Sequence, residues 1–172
     1  MADFNHFVSS LNLANFSAEE LLVKTQRPLN HRPEEVLWPN IAPTILVLQK
    51  LRTLFGVGIV LTSVYRSYEY NEQIPDAGKR SQHIAFNAID FVPANPNLLD
   101  DMAETLIAWR GDWIGSPQKF DRSDVIVEGQ PIPNEKLEWK TDGGNNLFKF
   151  RGGVRLYGSF IHVDTRGIDA NW

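Results

Sequence analysis

Two stretches of the chain put ionisable side chains into apolar, strand-like segments. S-Q-H-I-A-F-N-A-I-D runs from Ser81 to Asp90, and F-I-H-V-D-T-R-G from Phe160 to Gly167. Side chains alternate along a strand. Ile161 and Val163 therefore share one face, and Phe160, His162 and Asp164 the other. Asp90 likewise points away from Ile89 and Phe91. If the two strands pair, Asp90 and His162 meet on a polar face, and His83 on the incoming loop can fold over the same point. A buried carboxylate must be compensated. Two arrangements do so: a structural His–Asp hydrogen-bonded pair, or a metal ion held by His83, Asp90 and His162. Three protein ligands with an open fourth position suit catalytic zinc. With no cysteine in the chain, a zinc site has only His, Asp and Glu to draw on.

The remaining segments must position these residues. Ser17-Ala18-Glu19-Glu20 has the form of a capping box opening a short helix through Val23. The run T-Q-R-P-L-N-H-R-P-E-E reads as a loop. From Ile41 the spacing is helical, with Ile41, Ile45, Leu48 and Phe55 on one face and Gly56 as the stop. Gly58 to Tyr65 is β-branched and apolar and predicts a buried strand. Residues 66 to 82 predict a long loop with one helical turn, Ala88 to Val92 a strand, and Asn97 to Trp109 a second amphipathic helix. Val125 to Glu128 is a short strand candidate, Gly129 to Asn146 a loop or hairpin insertion, and Phe160 to Asp164 the last strand. Helices first and strands later imply an α+β fold with a small antiparallel sheet carrying the site, flanked by helices. No repeat or boundary divides residues 1–172, so one domain is expected.

Composition narrows the function classes. The 172 residues are 42% hydrophobic and 22% charged, as in a globular domain. A net charge of -4 and a pI near 5.5 leave no basic face for nucleic acid. No apolar run approaches the ~20 residues of a membrane span. M-A-D-F-N-H-F lacks the basic and apolar regions of a signal peptide. The expectation is a protein kept in the cytosol or exported by a route the sequence does not reveal.

Four motifs in order, S-V-Y-R-S at 63–67, S-Q-H at 81–83, A-I-D-F at 88–91 and F-I-H-V-D-T-R at 160–166, resemble the D-Ala-D-Ala carboxypeptidase and murein endopeptidase family of zinc peptidases, whose relatives include the hedgehog signalling domain. The resemblance covers about residues 15 to 167. It implies zinc held by His83, Asp90 and His162, and peptidoglycan stem peptides as substrate at the cell wall. Arg66 would grip a substrate carboxylate or the developing oxyanion, and Ser81 would orient the loop or touch substrate.

The sequence departs from the family pattern twice. Phe86 stands where the family has glycine, and Ser159 and Phe160 stand where relatives carry a Glu or His before the last ligand. Phe86 is expected to reshape or narrow the site. Asp164 is then the nearest proton acceptor, or else a group orienting a ligand, with Glu128 as an outside candidate. The second function class is a non-catalytic, zinc-stabilised binding module of the same fold. His6 and His31 read as surface residues, and the tryptophans as core and groove residues, with Trp139 able to line a cleft.

Overall fold

A computed structural model describes residues 3–172, and among these residues side-chain caps open three of the five α-helices. Met1 and Ala2, the start of the stretch read for a leader, lie outside the described residues. Asp3 caps α1 (Phe4–Ser9) by accepting from Asn5 N. Ser17 and Glu20 form the expected capping box of α2, which is short (Ala18–Leu21). α3 runs from Trp38 to Phe55, with Pro39 in its first turn, and ends on Gly56 at φ 65°. A residue with a side chain is disfavoured at that φ. α4 (Tyr68–Asn71) is the single helical turn in the long loop, and α5 spans Leu99–Ala108.

The strands are β1 (Ile59–Ser63), β2 (Ala88–Pro93), β3 (Trp113–Ser116), β4 (Ile126–Val127), β5 (Gln130–Pro131), β6 (Trp139–Asp142), β7 (Asn145–Lys149), β8 (Val154–Leu156) and β9 (Ile161–Asp164). They form an antiparallel four-stranded sheet in the order β1-β2-β9-β8, a three-stranded sheet β3-β7-β6, and the β4-β5 hairpin. The α+β architecture with a small antiparallel sheet is the expected one. β3, β7 and β8 add strands where no strand pattern was read.

One face of the four-stranded sheet is core. Ile89, Phe91, Ile161, Val163 and Val154 lie in the main apolar cluster with α3 and α5 residues such as Ile45, Leu48, Met102 and Leu106. α3 packs against β2 and β3, and α5 against β8 and β9. α3 is not simply amphipathic: every residue from Asn40 to Leu48 is buried. Two of these are polar and partnered. Asn40 Nδ2 donates to Ala85 O at 2.8 Å and to Ser123 O at 2.9 Å. Thr44 donates to Asn87 O at 2.9 Å. The bonds to Ala85 and Asn87 tether the 81–87 loop that delivers His83.

Phe86 sits in that loop at φ 54°, the left-handed region where glycine is at ease. Its ring is fully buried and packs 5.7 Å from Tyr65 and 6.2 Å from Phe4, on the core side of the loop. It keeps the backbone turn that glycine serves elsewhere, at a strain of about 1–2 kcal/mol. In return it fills core volume of a kind whose removal costs about 3–5 kcal/mol. Replacing Phe86 by Gly should therefore destabilise the fold by roughly 2 kcal/mol, the cavity outweighing the relieved strain. Urea denaturation checks the sign; a more stable variant would mean that strain dominates.

Candidate metal centre

The register of β2 and β9 pairs Asp90 with His162 on the face opposite the core. β1 reaches the same place through a bulge between Leu61 and Ser63, which sets Ser63 opposite Asp90. Such a bulge re-aims the end of a strand, and Arg66 follows three residues later. The His83 loop is stitched to this end of β1. Arg66 N donates to His83 O at 3.1 Å, and His83 Nδ1 lies 2.8 Å from Val64 O. A tight turn completes the placement, with Ile84 N on Ser81 O and Phe86 N on His83 O. Ser81 Oγ accepts from His83 N at 3.2 Å, so it caps the turn and also lines the cleft.

His83, Asp90 and His162 converge and are all buried, with one ligand atom from each lying within 4.8 Å of the others. His162 Nδ1 is 2.9 Å from Asp90 Oδ1, and His83 Nε2 is 3.1 Å from the same oxygen. Because His83 Nδ1 must carry the proton to bond the Val64 carbonyl, Nε2 presents a lone pair toward a carboxylate. It is buried and has no hydrogen-bond partner. Two electron-pair donors facing each other in a buried site leave an unmet demand for positive charge. A divalent cation among His83 Nε2, Asp90 Oδ1 and His162 Nδ1 meets that demand, so the donor set fits a metal.

The other nitrogen of His162 is also spoken for. Nε2 lies 2.9 Å from Asp164 Oδ2. Asp164 is fully buried and absent from the cleft wall. Its oxygens accept from Arg166 Nη2 at 2.7 Å, Arg166 Nε at 2.9 Å, and the backbone nitrogens of Gly153 at 3.0 Å and Arg166 at 3.2 Å. Glycine is required at 153, since a Cβ there would stand 2.6 Å from Asp164 Oδ2. Arg66 Nη2 donates to Asp90 Oδ2 at 3.2 Å, and its Nε to Ser63 Oγ at 3.1 Å.

These contacts set the charge states. Burial would raise Asp90, but the imidazoles of His83 and His162 beside it hold it well below the usual carboxylate range. Burial would also raise Asp164, yet its bonds from Arg166 and His162 keep it ionised. Burial lowers His83. For His162 burial is overcome by Asp164 and Asp90, which raise it to about 9.

The cleft over the trio has a volume of about 490 Å³. Arg66, Ser81, His83, Asp90 and His162 all line it. Glu128 does not; it faces the neighbouring grooves, bonded to Tyr68 Oη at 2.8 Å. Trp139 packs 5.5 Å from Phe148 in the second sheet, away from the cleft. His6 and His31 are exposed and remote from it. Phe86 faces the core, so it does not narrow the open side. Arg155, Tyr157, Arg166 and Trp172, to which sequence reasoning gave no role, complete the wall. The alternation of V-R-L-Y at 154–157, not read as a strand, is the one sequence signal that could have found the first two.

A buried His–Asp–His trio lies at the floor of an open cleft on an antiparallel sheet, with a geometry able to hold a metal ion. Residues 14–117 match the peptidase M15 family, and the chain belongs to this family of zinc peptidases of the D-Ala-D-Ala carboxypeptidase type. The matched span includes Arg66, Ser81, His83 and Asp90; His162 lies beyond it and joins the set through the β2–β9 pairing. No curated protein and no solved structure matches the chain. Among the described residues, no helix is long and apolar enough to cross a membrane.

Metal uptake must displace the proton that His162 holds up to about pH 9. Adding zinc to metal-free protein at pH 7 should release about one proton per site, and affinity should rise with pH up to about 9. The same raised value makes the metal-free fold gain from protonated His162 below pH ~6.5 and lose that gain as pH rises through 9. His83, pushed down, acts only below that window. Calorimetry in buffers of different ionisation enthalpy reads the proton count; uptake without proton release would contradict the assignment.

Proposed function

We propose that the chain is a zinc-dependent peptidase that cleaves peptidoglycan stem peptides at the cell wall, as a D-Ala-D-Ala carboxypeptidase or a murein endopeptidase. The observation that carries the reading is the orphaned Nε2 of His83 aimed at Asp90 in an open cleft of an M15 chain. His83, Asp90 and His162 would hold zinc, which when bound lowers the pKa of a coordinated water toward ~7 and polarises a carbonyl.

Arg66 has two nitrogens engaged with Asp90 and Ser63, which leaves Nη1 for the developing oxyanion or a substrate carboxylate. Its planar fork is fixed by those bonds, so it is pre-organised for that task. Ser81 holds the His83 turn and borders the cleft, where it meets substrate. Asp164 is read as the group that orients His162, since its lone pairs go to His162, Arg166 and Gly153 and it does not reach the cleft. Asp76, on the exposed loop bordering the cleft, is the carboxylate outside the metal trio on that wall and takes the proton-transfer role.

Incubating the protein with muropeptides, with and without chelator, and identifying products by mass spectrometry tests the reading. Products that vanish with chelator support it. An intact substrate mixture with zinc bound would make the chain a zinc-stabilised binding module instead. Two variants separate the carboxylate roles. Asp164→Asn should weaken zinc binding by ~10–100-fold, with the rate restored at saturating zinc. Asp76→Asn should keep zinc and lower kcat by ~10²-fold or more. A zinc-saturated Asp164→Asn that stays slow would return the proton-transfer role to Asp164.

A further inference from the structure

The open face of the four-stranded sheet carries one residue from each strand in a single cross-strand row. Ser63 stands opposite Asp90, Asp90 opposite His162, and His162 opposite Arg155. Neighbouring strands lie about 4.8 Å apart, so Arg155 is one strand from a metal ligand, at the β8 edge of the sheet.

The first three members of the row are committed to one another and to Arg66. Arg155 is not. Among the described residues its guanidinium has no carboxylate partner and no hydrogen bond. It is held instead by aromatic rings, 4.6 Å from the centroid of Tyr157 and 5.8 Å from that of Trp172. Both rings are themselves braced. Tyr157 stacks on Phe160 at 4.5 Å, and Trp172 meets His162 edge-on at 5.3 Å. Cation–π contacts fix a guanidinium without using its N–H donors.

The other arginines on the wall differ. Arg66 is paired with Asp90 and Arg166 with Asp164, while Arg80 is exposed on the loop. Arg155 is thus a half-buried cation with five free donors beside a centre that gains positive charge when it takes a metal. The chemistry that answers it is a planar anion, and a carboxylate matches the fork of a guanidinium.

We propose that Arg155 is a specificity-determining residue that binds a carboxylate of the substrate peptide. The inference rests on the peptidase reading above. The Trp172 ring touches both His162 and Arg155, so the anchor is near the reacting carbonyl. At ~3.5 Å per extended residue, the recognised carboxylate falls within about three residues of the scissile bond. Arg66 is left to the oxyanion, and Arg155 selects which peptide is presented.

The test uses zinc-loaded protein and a stem pentapeptide, together with forms of it in which each carboxylate in turn is converted to the amide. Binding is followed by tryptophan fluorescence on a stopped-flow time scale, and products by mass spectrometry of the same mixtures. Arg155→Gln should weaken the fully acidic peptide ~10-fold or more, the range of a charge-assisted hydrogen bond. One amide should bind wild type equally weakly, and Arg155→Gln should not weaken that amide further. Arg155→Lys keeps charge and stem and should show a smaller loss confined to the same carboxylate; it carries the test if the Gln variant does not fold. An equal loss on every peptide, no loss on any, or a wild type that binds none of them overturns the inference. Wild type that binds with this pattern but yields no product with zinc bound overturns the peptidase reading and leaves Arg155 as the anchor of a binding site.

Discussion

Asp90 places a carboxylate at the centre of a four-stranded sheet, 5% exposed, with a strand hydrogen-bonded on either side. Such a charge is tolerated only where positive or proton-bearing groups surround it. Two neighbouring elements supply one each. The bulged end of β1 leads to Arg66 and β9 supplies His162, while the 81–87 loop brings the lone pair of His83 Nε2 to the same oxygen and leaves a demand for further positive charge. Strand alternation does the rest, because Ile89 and Phe91 must enter the core and Asp90 therefore cannot. The tethers to Asn40 and Thr44, the capping by Ser81 and the left-handed turn at Phe86 all hold His83 over this one oxygen.

Charge around the centre is layered. Asp90 is matched by Arg66, and Asp164 by Arg166, with His162 bridging the two carboxylates through its two nitrogens. Protonated His162 balances the site, and a dication bound there would take over that balance as the proton leaves. Beyond these pairs the wall adds Arg80 and Arg155 and a lone exposed Asp76. A chain whose net charge is -4 thus has a cleft of the opposite sign.

The second sheet explains why part of the fold was hidden. β6 and β7 join at Gly143 and Gly144, both at positive φ, and send mainly Phe148 inward, while Lys140, Thr141 and Asp142 face solvent. β3 contributes Ile114 from a four-residue strand. A sheet with one inward side chain per strand leaves little alternation to read, so the segment from Gly129 to Asn146 looks like a polar insertion. Its order comes from pairing with distant strands and from α3 against β3, which no local window contains.

Residue types and period alone determined much of the rest. The capping box at Ser17 and Glu20, the Gly56 stop of α3, the single turn in the 66–82 loop and the strands bearing Asp90 and His162 follow from local chemistry that acts within a few residues. Asp90 and His162 were legible as neighbours because a period of two puts both on one face once the strands pair, whereas their reading with His83 as a zinc set rested on the resemblance to the family. Four things needed the tertiary structure. Phe86 faces the core because the 81–87 loop is tied to α3. Asp164 turns to Arg166 because Gly153 lets β8 approach it. Glu128 ends in another groove because the β4–β5 hairpin packs elsewhere. Arg155 reaches the cleft because β8 is the far edge of the sheet. Apart from the Asp164–Arg166 pair itself, two residues apart, each depends on contacts between segments separated in sequence, and the strand order that creates them is decided by how the whole core packs.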